Sequence, residues 1–382
     1  MLIQPRVAIA WRPFLGSSVI VRAGYGIYRN SNVYDSIATR MAQQPPLSVA
    51  VSAQHTPETP ITLANGFIAS PGIVQVPWAI DPEFRVGYAH NWQAMIQRDF
   101  PGALQISATY VGVKGSRLPQ VFLPNSYAPG SINPCTACPI GFQYLTSGGS
   151  SRAHRGQLQV RRRLSNGFEA SGQYTLAWGE DNASAFTGIS GTAAQNWRDL
   201  DAEWGPSALI RRHEFGGQFR YTSTVDAGAR GVRSRLLRSW MVSSSIIIGN
   251  GYPLTPIYAA AIPGTTISGA VRPSLTGESL DAIPDGYYLN PLAFGPPATG
   301  EWGTASRGSI SGPSTFSLDG SLSRSFTVNQ RSNMTWSMSV SNLLNRATRT
   351  GLNTFVGSPQ FGQPVAFVAP RRINMQLQMR FR

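Results

Sequence analysis

The sequence predicts an all-β protein: an antiparallel, up-and-down transmembrane β-barrel of about eleven strands with long extracellular loops. Three observations support this fold class. Apolar and polar residues alternate with a period of two in segments of about ten residues, the length that a tilted strand needs to cross a bilayer core. Charged residues make up only 13% of the chain, while aromatic residues are plentiful. Short and long connections alternate between the segments, as they do in membrane barrels.

The composition separates this class from other large proteins. A soluble domain of 382 residues normally covers itself with Lys and Glu, but this chain has a single lysine, Lys114, and owes its net charge of +14 to arginine. It contains no apolar run long enough for a transmembrane helix. The arginines are scattered through the alternating segments and form no compact basic stripe, so we expect no nucleic-acid partner.

Eleven segments show the strand pattern. The first, Arg6–Arg12, is apolar at Val7, Ile9 and Trp11, which face one way along the strand. Each of the other segments repeats this alternation. The predicted strands are residues 6–12, 19–27, 85–97, 104–110, 157–164, 168–178, 213–221, 240–248, 316–326, 334–340 and 371–382.

The connections predict which end of each strand faces which side of the membrane. Turn signals at Pro13–Ser17, Pro101-Gly102 and Asn166-Gly167 mark short connections, and the alternate connections are long and rich in Pro, Ser and Gly. Short turns are periplasmic and long loops extracellular in outer-membrane barrels. Aromatic residues near the strand ends fit interfacial girdles: Trp11, Tyr28, Tyr110, Trp178, Tyr221, Trp240, Phe326 and Phe381.

The last segment has the clearest two-faced pattern. Its apolar row consists of Ile373, Met375, Leu377, Met379 and Phe381. The opposite row consists of Arg372, Asn374, Gln376, Gln378 and Arg380. We expect the apolar row to face lipid and the polar row to line the lumen.

The strand count predicts an incomplete barrel. Bacterial single-chain barrels have an even number of strands. An odd count, a first strand that begins outside and no secretory signal at Met1–Arg6 predict that residues 1–382 form one β-barrel domain, the C-terminal portion of a larger protein. Two unpaired sheet edges are then expected to aggregate or to borrow partner strands.

The two cysteines, Cys135 and Cys138, lie in one predicted loop. A structural zinc site needs a second pair of cysteines or suitably spaced histidines, and neither follows. A redox motif normally opens a helix after a strand, whereas this segment is loop-like on both sides. We predict a small disulfide-closed loop in an oxidising compartment, with free thiols as the alternative.

Another predicted extracellular loop carries candidate ligand-binding residues. Asp199, Asp201 and Glu203 lie close together, and Trp197 and Trp204 flank them. Carboxylates can bind a cation or sugar hydroxyls, and aromatic faces stack on ligands. The alternative is a solvated loop, because a hard-cation site needs several converging oxygens.

Nothing in the sequence predicts an enzyme or a cofactor. The histidines share no metal-ligand spacing, and His213, at the start of a strand, is expected to have a hydrogen-bonding structural role. No nucleophile elbow is present, and the Gly24-Tyr25-Gly26 segment lies inside a strand, which excludes a phosphate loop.

Short sequence phrases dispersed over most of the chain resemble one family. Each phrase is weak alone, but their order and spacing are specific. They are Ala23–Tyr28, Asn91–Gln93 with Gln97-Arg98, Tyr110–Gly112 with Lys114-Gly115, Arg211–His213, Gly251–Pro253, Asn290-Pro291 with Ala293-Phe294, Arg307-Gly308 with Gly312-Pro313, Asp319 with Phe326, Asn342–Asn345, Phe361-Gly362 and Pro370–Ile373. The chain resembles the β-barrel of TonB-dependent outer-membrane receptors, in the Oar-like branch with a carboxypeptidase-regulatory-like domain.

The resemblance implies a ligand-gated importer of 22 strands with a plug inside the barrel, of which this chain holds about the last half. It implies four partners: outer-membrane lipids, lipopolysaccharide, a solute, and an inner-membrane energy-coupling complex reached through the plug. The plug, the energy-coupling box and the signal are absent from the chain. Such barrels tend to end on an aromatic residue, whereas here Arg382 follows Phe381.

Two functions therefore follow from the sequence. The first is part of an outer-membrane receptor for energy-coupled import of a bulky solute that extracellular loops capture. The second is a soluble, secreted all-β carbohydrate-binding module. The two differ in where apolar side chains lie, because a soluble module would bury Val7, Tyr88, Ile246 and Leu377 in a core.

Overall fold

A computed structural model describes residues 3–44, 47–48, 62, 78–138, 142–165, 167–183, 193–223, 232, 238–258, 262–263, 271–329 and 332–381. Within these ranges the main element is a thirteen-stranded sheet, in which eleven strands follow one another in chain order. Each of the eleven pairs antiparallel with the next. The prediction of an all-β, up-and-down antiparallel fold is confirmed.

The eleven strands match the eleven predicted segments. They are β1 (Arg6–Trp11), β2 (Ile20–Arg29), β3 (Tyr88–Phe100), β4 (Leu104–Phe122), β5 (Gln143–Ser165), β6 (Phe168–Asp181), β7 (His213–Thr222), β8 (Trp240–Gly249), β9 (Thr315–Asn329), β10 (Ser332–Ser341) and β11 (Arg372–Phe381). Two short strands join the sheet at its sides, Trp78–Ile80 against β5 and Gly205–Pro206 against β6.

Short turns and long loops alternate between these strands, so the sheet has a short-turn end and a long-loop end. The turn between β3 and β4 spans three residues, in which Gly102 takes the left-handed conformation (φ 77°) that glycine adopts without strain. Gly167 has φ 79° at the predicted hairpin, while Asn166 lies outside the described residues. One long loop contains the helix α1 (Val33–Ala42). No helix in the described ranges is long and apolar enough to cross a membrane.

The loop that contains the cysteines is shorter than predicted, because β4 and β5 extend beyond the predicted strands 104–110 and 157–164. Strands β4 and β5 pair as far as Phe122 and Tyr144, well beyond the other strands. Their upper parts pack against other long-loop residues, and Val121 and Leu145 are buried there with Trp78. Both faces of β4 and β5 contact protein at the long-loop end of these strands. Their sequence there therefore lacks the alternation of apolar and polar residues that identifies the rest of the sheet.

The register keeps one apolar face continuous across the sheet. Paired residues of neighbouring strands point to the same side, and Val7 pairs with Tyr25, Tyr25 with Trp92, and so on to β11. None of the four test residues on this outer face is buried: Val7 is 68% exposed, Leu377 is 64% exposed, and Tyr88 and Ile246 are half-buried. A soluble module would bury all four side chains, so the structure favours the membrane barrel.

The sheet is open at β1 and at β11. In the part of the chain that the structure describes, β1 pairs only with β2 and β11 pairs only with β10. All side chains of both strands are exposed. This arrangement is consistent with the predicted incomplete barrel, since a closed barrel would join its first and last strands.

A glycine on β4 makes room for a tryptophan of the outer face. Gly112 lies opposite Trp92, and a Cβ atom at Gly112 would lie 2.2 Å from the indole ring. Gly112→Val should therefore displace Trp92 and lower the free energy of unfolding by about 1–3 kcal/mol, the usual effect of overpacking. Chemical unfolding in lipid vesicles and near-ultraviolet circular dichroism measure the two effects.

Gly216→Ala is the matched control for this substitution. Gly216 also lies inside a strand, but an added Cβ atom there meets nothing within 4 Å. We expect Gly216→Ala to leave the tryptophan signal and the stability nearly unchanged. Equal losses for both variants would show that the strands simply do not tolerate side chains at glycine positions.

Candidate functional site: inner wall and loop cap

The inner face of the sheet is polar across its width. Side chains that alternate with the outer row point to this face, and most of them carry hydroxyl, amide or charged groups. Its arginines are Arg6, Arg22, Arg155, Arg161, Arg220, Arg372 and Arg380. Its carboxylates are Asp99, Glu169, Asp181, Glu214 and Asp319. Arginines therefore outnumber carboxylates on this inner wall.

A charged cluster lies on the inner wall near the short-turn end. Glu169 on β6 accepts hydrogen bonds from Arg161 at 3.1 Å and from Arg220 at 3.5 Å. All three side chains are partly exposed, so solvent screens these ion pairs. An open cavity of about 580 Å³ runs from this cluster towards β10. The cluster therefore presents guanidinium groups to whatever occupies the cavity.

Serine hydroxyls line the other side of the cavity. Ser243 and Ser321 are Cα partners, and their Oγ atoms lie 2.7 Å apart. Asp319 is held in place on the same wall, because its carboxylate accepts hydrogen bonds from the backbone N–H of Asn342 at 2.9 Å and from the Ser317 hydroxyl at 3.0 Å. This side of the wall offers donors and acceptors for polar groups.

The long loops fold together at the end of the sheet opposite the short turns. We call residues 193–212, 250–314 and 342–371, in their described parts, the loop cap. Short strand pairs connect its segments, such as Ile257–Tyr258 with Phe355–Val356. Its largest buried cluster joins the second and third segments and consists of Leu289, Ala293, Phe294, Ala305, Ile310, Leu352, Val356 and Phe361. The cap is thus a packed structure with its own core.

A buried ion pair ties the first segment of the cap to the second. Arg272 donates to Glu203 Oε1 at 2.7 Å, and both side chains are 8% exposed. Gln195 bridges the pair. Its backbone N–H donates to the Glu203 carboxylate at 3.0 Å, and its side-chain Oε1 accepts from the backbone N–H of Arg272 at 3.0 Å. Charges buried this deeply need such partners, so the pair restricts how the two segments fit together.

The predicted acidic residues have three different environments. Glu203 is used inside the cap, in the ion pair with Arg272. Asp199 is exposed and accepts a hydrogen bond from the Ala202 N–H at 3.2 Å, and Asp201 is also exposed. In the described ranges no three His, Cys, Asp or Glu side chains are grouped to hold a metal ion. Asp199 and Asp201 are the carboxylates of this loop that face solvent.

The two predicted tryptophans are both anchored. The Trp197 indole donates to the Ser126 carbonyl at 3.0 Å, which links the cap to the loop between β4 and β5. The Trp204 indole donates to Glu180 at 3.0 Å and lies under the Arg152 guanidinium. Trp204 keeps an exposed face, so it is the tryptophan of this pair that a ligand can reach.

Two further groups lie among the loops. Cys135 and Cys138 form a disulfide, with an S–S distance of 2.05 Å. Burial raises the pKa of the Tyr144 phenol at the long-loop end of β5, and the Asp81 carboxylate raises it further. The phenol is therefore uncharged at neutral pH.

The sequence analysis did not identify Arg272 or the serines of the inner wall as site residues. Arg272 lies 69 positions from Glu203, and nothing in its local sequence distinguishes it from a surface arginine. The serines were detectable, because Ser321, Ser323, Ser337 and Ser339 occupy the polar positions of two adjacent predicted strands.

Comparison with known proteins identifies the fold. Residues 1–376 match the family model described as "Outer membrane beta barrel domain". The chain belongs to this family. As a member of the outer-membrane barrels it lies in the bacterial outer membrane, its long-loop end is extracellular and its short-turn end is periplasmic.

The chain is similar in fold to one solved outer-membrane transporter and has weaker similarity to two solved receptors. The outer membrane transporter YddB from Escherichia coli is 11% identical, with a TM-score of 0.54 over 99% of this chain and 40% of YddB. The ferric-catecholate import receptor Fiu from E. coli K12 is 10% identical, with a TM-score of 0.45 over 98% of this chain and 34% of Fiu. The pyoverdine outer membrane receptor FpvA from Pseudomonas aeruginosa PAO1 is 10% identical, with a TM-score of 0.46 over 99% and 36%.

The chain therefore spans 40% of the length of YddB, 34% of the length of Fiu and 36% of the length of FpvA. No curated protein matches its sequence.

Proposed function

We propose that this outer-membrane barrel is part of a TonB-dependent receptor of the Oar-like branch. The receptor would import a bulky solute with energy from an inner-membrane complex. Extracellular loops would capture the solute, which then passes along the inner wall. The observation that carries the proposal is the combination of a packed extracellular cap with a polar, arginine-rich wall directly below it.

The wall suggests the chemical class of the solute. Arg161 and Arg220 share the carboxylate of Glu169, and the Asp319 carboxylate lines the opposite side of the same 580 Å³ cavity, so the two guanidinium groups and two carboxylates balance in charge. The serine hydroxyls opposite can bond to oxygen-rich groups. We therefore propose a polar, oxygen-rich solute.

Capture is assigned to the exposed side chains of the first cap segment. Asp199, Asp201 and the open face of Trp204 are accessible there, while Glu203 and Trp197 hold the segment in place. Asp199, Asp201 and Trp204 would contact the solute. Glu203 and Trp197 would keep these three side chains in position.

The domain proposal is that residues 1–382 form the C-terminal part of one barrel whose plug and signal are encoded upstream. Reading the coding sequence upstream of Met1 tests it. We expect an in-frame extension that encodes further strands, a plug and a secretory signal. An in-frame stop codon directly before Met1, with no such extension, would contradict it.

Removal of the preceding plug segment from the full-length protein should open a wide pore. Cells that carry the intact receptor are expected to resist vancomycin, an antibiotic too bulky for the outer membrane, and cells with the plug deletion should become sensitive. Surface proteolysis of the extracellular loops controls for assembly. Unchanged resistance with an assembled barrel would contradict a gated importer and would favour a closed structural barrel.

A further inference from the structure

Three tyrosine–histidine hydrogen bonds repeat on the outer face of the barrel. In each, a tyrosine hydroxyl lies 2.6–2.7 Å from Nδ1 of a histidine on the next strand. The pairs are Tyr25–His90, Tyr110–His154 and Tyr174–His213, and we call these six residues the tyrosine–histidine belt. The fourth histidine, His55, lies outside the described residues.

The three pairs have the same position in the strand register. Each histidine lies two residues before the Cα partner of its tyrosine; Tyr25, for example, pairs with Trp92, and His90 precedes Trp92 by two positions. The other two pairs follow the same diagonal across β4 and β5 and across β6 and β7. The belt is therefore a repeated feature that connects both strands below each of three successive long loops.

The belt lies at one height above the periplasmic turns. His90, His154 and His213 precede the last residues of their strands, Phe100, Ser165 and Thr222, by nine to eleven positions. With a rise of about 3.3 Å per residue and a strand tilt of about 40°, this places the belt roughly 25 Å above the turns. The apolar band of such barrels is about 25 Å tall, so the belt lies at its extracellular boundary.

Each imidazole keeps one nitrogen for an outside partner. With Nδ1 bonded to the tyrosine hydroxyl, no second hydrogen bond of these three rings occurs in the described ranges. A hydroxyl that donates to Nδ1 leaves the ring proton on Nε2, which is then a donor at the outer face. A donor at the edge of the hydrocarbon region needs an acceptor from the surrounding lipid.

Positive charge lies directly beside the belt. Lys114 is the Cα partner of His90 on the outer face. It is exposed and has no hydrogen-bond or ion-pair partner in the described residues. Arg152, its partner on β5, is already bonded to Glu180 at 2.6 Å. The ammonium group of Lys114 is thus one cation available to an anionic headgroup, and the exposed Arg117, which lies over the Tyr88 ring next to His90, is a second cation nearby.

We propose that the belt, with Lys114, binds the phosphorylated glucosamine headgroup of lipid A, the membrane anchor of lipopolysaccharide. The imidazole Nε2–H groups would donate to phosphate and ester oxygens, and Lys114 would pair with a phosphate. The belt crosses six strands, about 24 Å at 4.8 Å per strand, which suits a wide, multi-acyl lipid better than a two-chain phospholipid. The proposal depends on the outer-membrane location and not on solute import.

Native mass spectrometry of the full-length protein in detergent, titrated with diphosphoryl lipid A, tests the proposal. The wild type should retain lipid A more strongly than phosphatidylglycerol. His→Phe substitution at positions 90, 154 and 213 keeps the rings but removes the donors, and should weaken binding about fivefold per contacting site, the effect of one hydrogen bond. Lys114→Gln should reduce the preference for diphosphoryl over monophosphoryl lipid A.

Tyr221→Phe is the matched control, since Tyr221 lies on the same outer face but at the periplasmic end of β7. It should leave lipid A binding unchanged. Equal retention of lipid A by the triple variant and the wild type, or equal binding of phosphatidylglycerol by the wild type, would overturn the proposal. If the triple variant does not fold, histidine ¹⁵N chemical shifts of the wild type provide the test: lipid A should shift the Nε2 signals, and no shift would refute the contact.

Discussion

Leu322→Arg is expected to destabilise the barrel folded in a bilayer by about 2–4 kcal/mol, the range for an arginine near the midplane on the lipid face of a barrel. Leu322 lies on the outer face of β9, between its Cα partners Val242 and Met338. It is seven positions from the periplasmic end of β9 at Asn329, about 18 Å by a rise of about 3.3 Å and a tilt of about 40°, which places it inside the apolar band and about 5 Å from its middle. Urea titration of folding in phosphatidylcholine vesicles measures the change.

Ser323→Arg is the control for this substitution. Ser323 is the next residue of β9 and pairs with Met241 and Ser337 on the inner wall. There the guanidinium meets the water-filled lumen, and we expect a cost below about 1 kcal/mol. Similar costs at both positions would mean that the two faces do not differ in their surroundings.

Glu203→Gln is expected to loosen the loop cap. The substitution leaves the Arg272 charge buried without its carboxylate, and breaking such a pair costs about 3–5 kcal/mol. Because the pair joins two loop segments and no barrel strand, the loss should affect the cap alone. Hydrogen exchange should show faster exchange in residues 193–212 and 271–314, with strands β1–β11 unchanged.

Two further variants test the cause of this loss. The double variant E203Q/R272M removes both charges, keeps the oxygen that accepts from Gln195, and should recover most of the protection. R161Q removes an exposed pair on the inner wall and should cost less than about 1 kcal/mol. If hydrogen exchange in the loop cap is as fast in the double variant as in E203Q, the unpaired charge of Arg272 is not the cause of the loosening.

The strands were predictable from the sequence wherever the two faces have different surroundings. On β10 and β11, lipid on one side and a polar lumen on the other impose strict alternation, so the segments were found within a few residues. The upper part of β4 is different, because Val121 and its neighbour Gln120 are both buried among loop residues. Alternation disappears where protein covers both faces.

The candidate site was predictable only in part, for the same reason. Proximity in sequence identified Asp199, Asp201 and Glu203 as one acidic loop, but only the fold separates the buried Glu203 from its exposed neighbours. The partner of Glu203 comes from a different loop, and loop-to-loop contacts follow no period. The belt histidines lacked metal spacing, yet each has an equivalent tyrosine partner that only the strand register reveals.

The central claim is that one face of the sheet contacts lipid and the other lines the lumen. Spin labels placed one at a time at residues 333–340 of β10, in the protein reconstituted in bilayers, test it most directly. Labels at Met334, Trp336, Met338 and Val340 should collide with oxygen dissolved in the lipid, and labels at the alternate positions should collide with a water-soluble nickel chelate. Even-numbered labels shielded from both reagents would place these side chains in a protein core and contradict the barrel.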